Sequence, residues 1–109
     1  MREVEFPMPD PSFVRYVGDP DFHDGSIISV EEEGDAVHIR LRGASGSIYN
    51  IKFSGVREVR TKHPEGMLIY ALCELRCDPP LRRYAFAKWD EDEIGLLEVD
   101  AETISVRPV

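Results

Sequence analysis

Ala36-Val37-His38-Ile39-Arg40-Leu41-Arg42 and, a short Gly-Ser segment later, Ile48-Tyr49-Asn50-Ile51-Lys52-Phe53-Ser54 decide the fold of this chain. In the first stretch Val37, Ile39 and Leu41 hold every second position; in the second, Tyr49, Ile51 and Phe53 do. Successive side chains of a strand point to opposite faces, so a period of two marks a strand with one face on a core and one toward water. Gly43-Ala44-Ser45-Gly46 between the two stretches closes a hairpin.

The same pattern extends in both directions. Upstream, Ser26 to Glu33 reads as a strand with Ile28 and Val30 on one face and Ile27 and Ser29 on the other. Gly34-Asp35 then supplies a tight turn, because glycine reaches positive φ at no steric cost. Gly18-Asp19-Pro20 marks an earlier turn, and Ser12 to Val17 is either one helical turn or a brief strand. Residues 1–11 contain Pro7, Pro9 and Pro11, which remove backbone donors and predict an extended N-terminal arm. Downstream, Val56 to Thr61 continues as a strand or as a turn into one, and His63-Pro64-Glu65-Gly66 is a loop.

Met67 to Cys77 reads two ways. As a strand it puts Met67, Ile69, Ala71, Cys73, Leu75 and Cys77 on one face. As a helix it makes a stripe of Leu68, Ala71, Leu72 and Leu75 but leaves Ile69 and Tyr70 outside. The strand accounts for more residues. Asp78-Pro79-Pro80 forces a turn. Leu81 to Trp89, Ile94 to Val99 and Glu102 to Arg107 complete the strands, with the acidic Asp90-Glu91-Asp92-Glu93 as a loop. Short strands separated by Gly, Asp and Pro turns predict a mostly β fold: one antiparallel β-sandwich, or a strongly curved, partly closed sheet. It has at most one short helix, near Ser12 or around Val56. Residues 1–109 form a single domain, and a chain this long buries roughly 65% of its unfolded surface without needing metals or disulfides.

Composition narrows the function classes. No apolar run approaches the roughly 20 residues of a membrane span. The N-terminus has charge and proline where a signal peptide needs an apolar core. The expectation is a cytoplasmic chain with no membrane partner. Cys73 and Cys77 on one strand stand about 13 Å apart, beyond the reach of a disulfide or of one zinc ion. On a helix the same spacing brings them to about 6 Å. They are expected to be buried, reduced thiols, and no cofactor or metal site is predicted.

The net charge of −8 disfavours nucleic acid, which needs a cationic footprint. Its distribution is uneven: residues 1–35 carry 2 basic and 10 acidic groups, residues 36–88 carry 10 and 4, and residues 89–109 carry 1 and 7. Either the basic middle strands pair with the acidic ends across the sheet, or the surface is polarised toward a charged partner.

Few residues suggest chemistry. His23 and Asp24, with Asp21 close by, have the composition of an acid–base pair or a metal site. Asp24-Gly25 is equally good turn chemistry, and His38 and His63 add no diagnostic spacing. Gly43 to Ser47 lacks the following helix that a phosphate loop requires. No Gly-x-Ser-x-Gly elbow is present. An enzyme is therefore the lesser expectation. His38, Arg40 and Arg42, joined by Arg57, Arg60, Lys62, Arg82 and Arg83 if their strands adjoin, would form an RNA face with Tyr70 and Tyr84. The alternative is a solvated face whose arginines meet Glu32, Glu58 or Glu98. Trp89, followed by Asp90, Glu91, Asp92 and Glu93, suits an aromatic anchor with an acidic rim for a basic partner.

Phe22-His23-Asp24, the strand Ile27-Ile28-Ser29-Val30, Ile51-Lys52-Phe53-Ser54-Gly55-Val56 and Leu97-Glu98-Val99 with Ala101 together resemble small bacterial single-domain proteins of unknown function. Some of these look like immunity proteins of polymorphic toxin systems. The resemblance spans Phe22 to Val106 and implies a mostly antiparallel β protein; it assigns no binding residues.

Three functions remain in play. The first is an acidic protein-interaction module, immunity-like, for a partner of basic character. The second is a small hydrolase or metal-dependent enzyme centred on His23 and Asp24. The third is a structural homo-oligomer joined through a strand edge.

Overall fold

The computed structural model describes residues 12–88 and 95–109. Among these residues nine strands follow in order: β1 (Phe13–Tyr16), β2 (Ser26–Glu33), β3 (Ala36–Arg42), β4 (Ile48–Ser54), β5 (Glu58–Lys62), β6 (Ile69–Leu75), β7 (Arg82–Lys88), β8 (Leu96–Ala101) and β9 (Thr103–Pro108). A single 3-10 turn at Pro20–Phe22 is the one helical element among the described residues. All strand pairs are antiparallel. They make two sheets, one in the order β1-β6-β7-β8-β5 and one in the order β2-β3-β4-β9, which do not close into a barrel.

The predicted mostly β class is what the chain adopts. Val37, Ile39 and Leu41 of β3 and Tyr49, Ile51 and Phe53 of β4 all face the interior. They meet Ile69, Leu72, Tyr84, Phe86, Leu97 and Val99 of the other sheet in one core. Burying each such side chain contributes about 1.5–3 kcal/mol. The sheets are joined at two places. The β4–β9 ladder runs on into the β5–β8 ladder through a corner where Glu102 N–H donates to the Ser54 carbonyl (3.0 Å) and Arg57 N–H to the Asp100 carbonyl (2.8 Å). On the other side, Ile27 N–H donates to the Met67 carbonyl and Ile69 N–H to the Gly25 carbonyl, each at 2.9 Å.

Alternation breaks at three bulges, and the structure corrects the sequence reading there. In β2, Ile27 pairs with Leu41 and Ser29 with Arg40, so Ile28 is an extra residue. Ile27 is therefore buried and Val30 packs on the core, rather than Ile28 and Val30 sharing the inner face. In β6, Ile69 pairs with Lys88 and Ala71 with Ala87, so Tyr70 is extra. The predicted face of Ile69, Ala71, Cys73 and Leu75 splits at that point. Leu72 and Glu74 turn inward opposite Phe86 and Tyr84, and Ala71, Cys73 and Leu75 turn outward. A third bulge places Val14 of β1 between Phe13 and Arg15. A one-residue shift exchanges the two faces of a strand, which is how the chain alters its periodicity without leaving the sheet.

Other boundaries differ in smaller ways. Ser12 to Val17 resolves into strand β1, and Val56 sits in the sheet corner rather than in a helix. Strand β8 runs through Asp100 and Ala101, which the sequence reading placed between strands. Cys77 lies beyond the end of β6 and is half-buried, whereas Cys73 is buried; both thiols are free. Burial raises the Cys73 thiol above its ordinary pKa. The predicted arm, residues 1–11, lies outside the described residues.

Asp100 explains why β8 is held so far. Its side chain is almost fully buried on the outer face of the first sheet. It accepts hydrogen bonds from Arg60 (2.8 Å) and Arg83 (2.9 Å), and Arg60 also reaches Glu98 (2.9 Å) and Glu58 (3.1 Å). The basic middle of the chain thus pairs with its acidic end. Burial opposes ionisation of Asp100, but the Arg83 and Arg60 bonds outweigh it and lower its pKa. Removing either arginine would leave a buried carboxylate short of partners.

Two predictions follow from these buried polar groups. The lowered pKa of Asp100 means that its contribution to stability is present above its unfolded value of about 3.9 and is lost as pH falls through the folded value. Urea unfolding between pH 2 and pH 5 should therefore show a shallower pH slope for Asp100→Asn than for the parent chain. The Tyr84 hydroxyl is fully buried with no hydrogen-bond partner, although the Arg82 guanidinium offsets part of the pKa rise that burial and Glu74 cause. Because an unsatisfied buried hydroxyl costs about 1–3 kcal/mol, Tyr84→Phe should hold or raise stability in the same assay, whereas a clear loss would show the hydroxyl to be bonded.

Candidate functional site

The corner that joins β2 to β6 carries a groove of about 480 Å³ lined by Tyr16, Val17, Asp19, Phe22, His23 and Tyr70, among others. Each wall has a local cause. β1 ends at Tyr16, and Val17 N–H still donates to the Leu72 carbonyl (2.9 Å), holding the chain against β6. Gly18 then turns with φ of +89°, and the Phe22 ring occupies the space where a Cβ would stand. Asp19 caps the 3-10 turn by accepting from the Asp21 N–H at 2.8 Å, and Pro20 begins it with φ already fixed.

The floor of the groove comes from the β6 bulge. As the extra residue, Tyr70 is released from strict alternation, and its ring stands 6.4 Å from the Tyr16 ring and 5.1 Å from the His23 ring, both edge-on. Phe13 adds a further edge-on contact to Tyr16 at 5.0 Å. Four rings, Phe13, Tyr16, Tyr70 and His23, therefore run in one series. Edge-to-face geometry is the arrangement that ring quadrupoles favour. Hydrogen bonding with Tyr70 raises the Tyr16 phenol above its ordinary pKa.

The candidate acid–base residues are near this groove but do not act together. His23 lines it, with Nδ1 3.0 Å from the Tyr70 carbonyl. Because a carbonyl only accepts, Nδ1 is the donor in this bond. Asp24 occupies the left-handed region at φ 67°, and its N–H donates to the Ile69 carbonyl (3.1 Å); it is turn chemistry. Its carboxylate makes no hydrogen bond or ion pair among the described residues. Asp21 points toward the β3–β4 hairpin instead. It accepts from the Ser45 hydroxyl (2.6 Å), the Ser45 N–H (2.9 Å) and the Tyr49 hydroxyl (3.0 Å). The Ser45 bonds lower its pKa, while burial and the Asp21 bond raise that of Tyr49. No contact joins His23 to either carboxylate.

Among the described residues no group of three or more His, Cys, Asp or Glu side chains is placed to hold a metal ion. The proposed anchor Trp89 and its rim Asp90, Glu91, Asp92 and Glu93 lie outside the described residues. The basic residues weighed as an RNA face are dispersed. His38, Arg40 and Arg42 are on the second sheet, while Arg60, Arg82, Arg83 and Tyr70 belong to the first, and Tyr84 is wholly buried. Tyr16 was the residue least visible in the sequence. Tyr70 left a trace, because Leu68 and Leu72 have the opposite parity to Ile69 and so signal a break in alternation beside it.

Among the described residues no helix is long and apolar enough to cross a membrane. No family model, characterised protein or solved structure matches the chain.

The groove depends on Gly18. Gly18→Ala should destabilise the fold by about 2 kcal/mol or more, because left-handed φ alone costs about 1–2 kcal/mol and the Phe22 ring must also move. Gly34→Ala, at φ 61° with open space around it, should cost only the backbone part. Equal losses in urea unfolding would contradict this view of the Phe22 packing.

Proposed function

We propose that this chain is a small protein-interaction module whose aromatic groove receives a cationic side chain from a partner of basic character. The observation that carries this reading is the ring series Tyr16, Tyr70 and His23 in a groove that the exposed Asp19 also lines, with the exposed Asp24 following His23 in the chain. A ring face attracts a guanidinium or ammonium group, contributing about 0.5–2 kcal/mol depending on desolvation. Carboxylates at the rim add long-range attraction, and the net charge of −8 speeds encounter with a basic protein. An immunity-like role, in which a cytoplasmic acidic protein covers a cationic toxin, is the biological form this reading takes.

The enzyme reading has less support. The Nδ1 of His23 meets a backbone carbonyl rather than the carboxylate that a catalytic dyad would place there. Neither Asp24 nor Asp21 contacts it.

Titration with a hexa-arginine peptide, followed by amide and ring NMR shifts, tests the proposal. Shifts should centre on Tyr16, Val17, His23 and Tyr70. Tyr16→Ala should weaken binding about fivefold to tenfold, and Tyr16→Phe should restore most of it, as expected for an interaction with a ring face. If Tyr16→Ala binds as tightly as the parent, the attraction is diffuse charge and the groove is not the site.

A further inference from the structure

The outer face of the second sheet has a charge opposite to that of the chain as a whole. The alternation that turns Val37, Ile39 and Leu41 inward turns His38, Arg40 and Arg42 outward, and on β4 it turns Asn50 and Lys52 outward. Register then sets Arg40, Asn50 and Arg107 in one row across β3, β4 and β9, with His38, Lys52 and Ser105 in the next. Neighbouring strands lie about 4.8 Å apart, so the backbones of Arg40 and Arg107 are about 10 Å apart. Lys52 rises in the adjacent row.

Among the described residues, none of Arg40, Arg42, Lys52 and Arg107 makes an ion pair, and Arg40 donates to Asn50 Oδ1 at 3.3 Å. The contrast with the first sheet is sharp. There Arg15, Arg60 and Arg83 each meet a carboxylate at 3.0 Å or less. Among the described residues, Glu31 and Glu33 on β2 are the carboxylates that border this face, and Glu33 approaches His38 at 3.6 Å. Like charges on adjacent strands repel. Four cations on one sheet face with no ion pair among the described residues are a local cost to folding that an anionic partner offsets.

We propose that the outer face of β3, β4 and β9 is a docking surface for an acidic segment of a protein partner. Arginine forks suit carboxylates through paired, charge-assisted hydrogen bonds. A polar groove of about 410 Å³ along β2 and β3, lined by Ser29, Glu31, Glu33, His38, Arg40 and Asn50, borders the surface; its two carboxylates direct an acidic segment toward Arg40, Lys52 and Arg107 rather than toward β2. A nucleic acid fits less well. It is anionic along its whole length and meets the rest of a −8 protein, and the face offers no aromatic ring for base stacking. A protein can present carboxylates locally while its remaining surface is neutral or basic. This surface is independent of the aromatic groove.

The test titrates hexaglutamate into the isotope-labelled full chain and into an Arg40→Gln/Lys52→Gln variant. Amide shifts should centre on β3, β4 and β9, and the variant should bind about tenfold more weakly, with binding fading as salt rises. The variant should also melt at an equal or slightly higher temperature, since repulsion is relieved, which separates lost binding from lost folding. Absence of shifts, or equal binding by the variant, overturns the proposal. So does tighter binding of oligothymidylate, or a concentration-dependent shift without peptide that reports docking of a second copy.

Discussion

One inserted residue, Tyr70 in β6, controls how the two sheets share a core and where the rings of the groove stand. Without that bulge, Ala71, Cys73 and Leu75 would follow Ile69 inward, and a small, poorly filled stripe would face Phe53 and Phe86. With it, Leu72 comes in opposite Phe86, and the Tyr70 ring leaves the ladder to meet Tyr16 and His23. Bulges serve in this way at sheet edges and sites, by re-aiming a side chain while pairing continues on either side. The bulge is fixed from upstream, where the hydrogen bonds of Gly25 and Ile27 to Met67 and Ile69 set the register at which β6 begins.

The bulge has a polar consequence as well. The same shift that brings Leu72 inward also turns Glu74 toward the inner face, where Arg15 meets it at 3.0 Å. Further across that sheet, Arg60 and Arg83 converge on Asp100. The first sheet thus uses its arginines to satisfy carboxylates that folding has buried, an arrangement in which breaking a pair costs more than the pair itself contributes. The second sheet buries no carboxylate, so its cations stay available. The polarity read from the sequence thus divides between the sheets: Arg15, Arg60 and Arg83 are paired in the first, and Arg40, Arg42, Lys52 and Arg107 stand without an ion pair among the described residues of the second.

Legibility in the sequence followed the regularity of the strands. β3 and β4 were plain because no bulge interrupts Val37 to Leu41 or Tyr49 to Phe53, and the Gly34-Asp35 turn fixed their neighbour. β2 and β6 were assigned as strands with their faces partly exchanged, because composition does not mark which of Ile27 and Ile28, or Ile69 and Tyr70, is the extra residue. Asp100 falls between the two strands read from the sequence, because the two arginines that hold it in β8 are 40 and 17 positions away. His23 stood out in the sequence as an acid–base or metal candidate with Asp24, whereas in the structure its ring adjoins Tyr70. Tyr16 and Tyr70 are 54 residues apart in the chain and adjoin through bulged pairing that no local pattern encodes.

Proton–proton NOEs at β6 test the account most directly. The account predicts contacts from the Leu72 methyls to the Phe86 ring, and from the Tyr70 ring to the rings of Tyr16 and His23, with none from Ala71 or Cys73 into the core. Contacts from Ala71 and Cys73 to Phe53 or Phe86, with Leu72 facing outward, would mean that β6 alternates without a bulge. The groove and the binding role built on it would then have no structural basis.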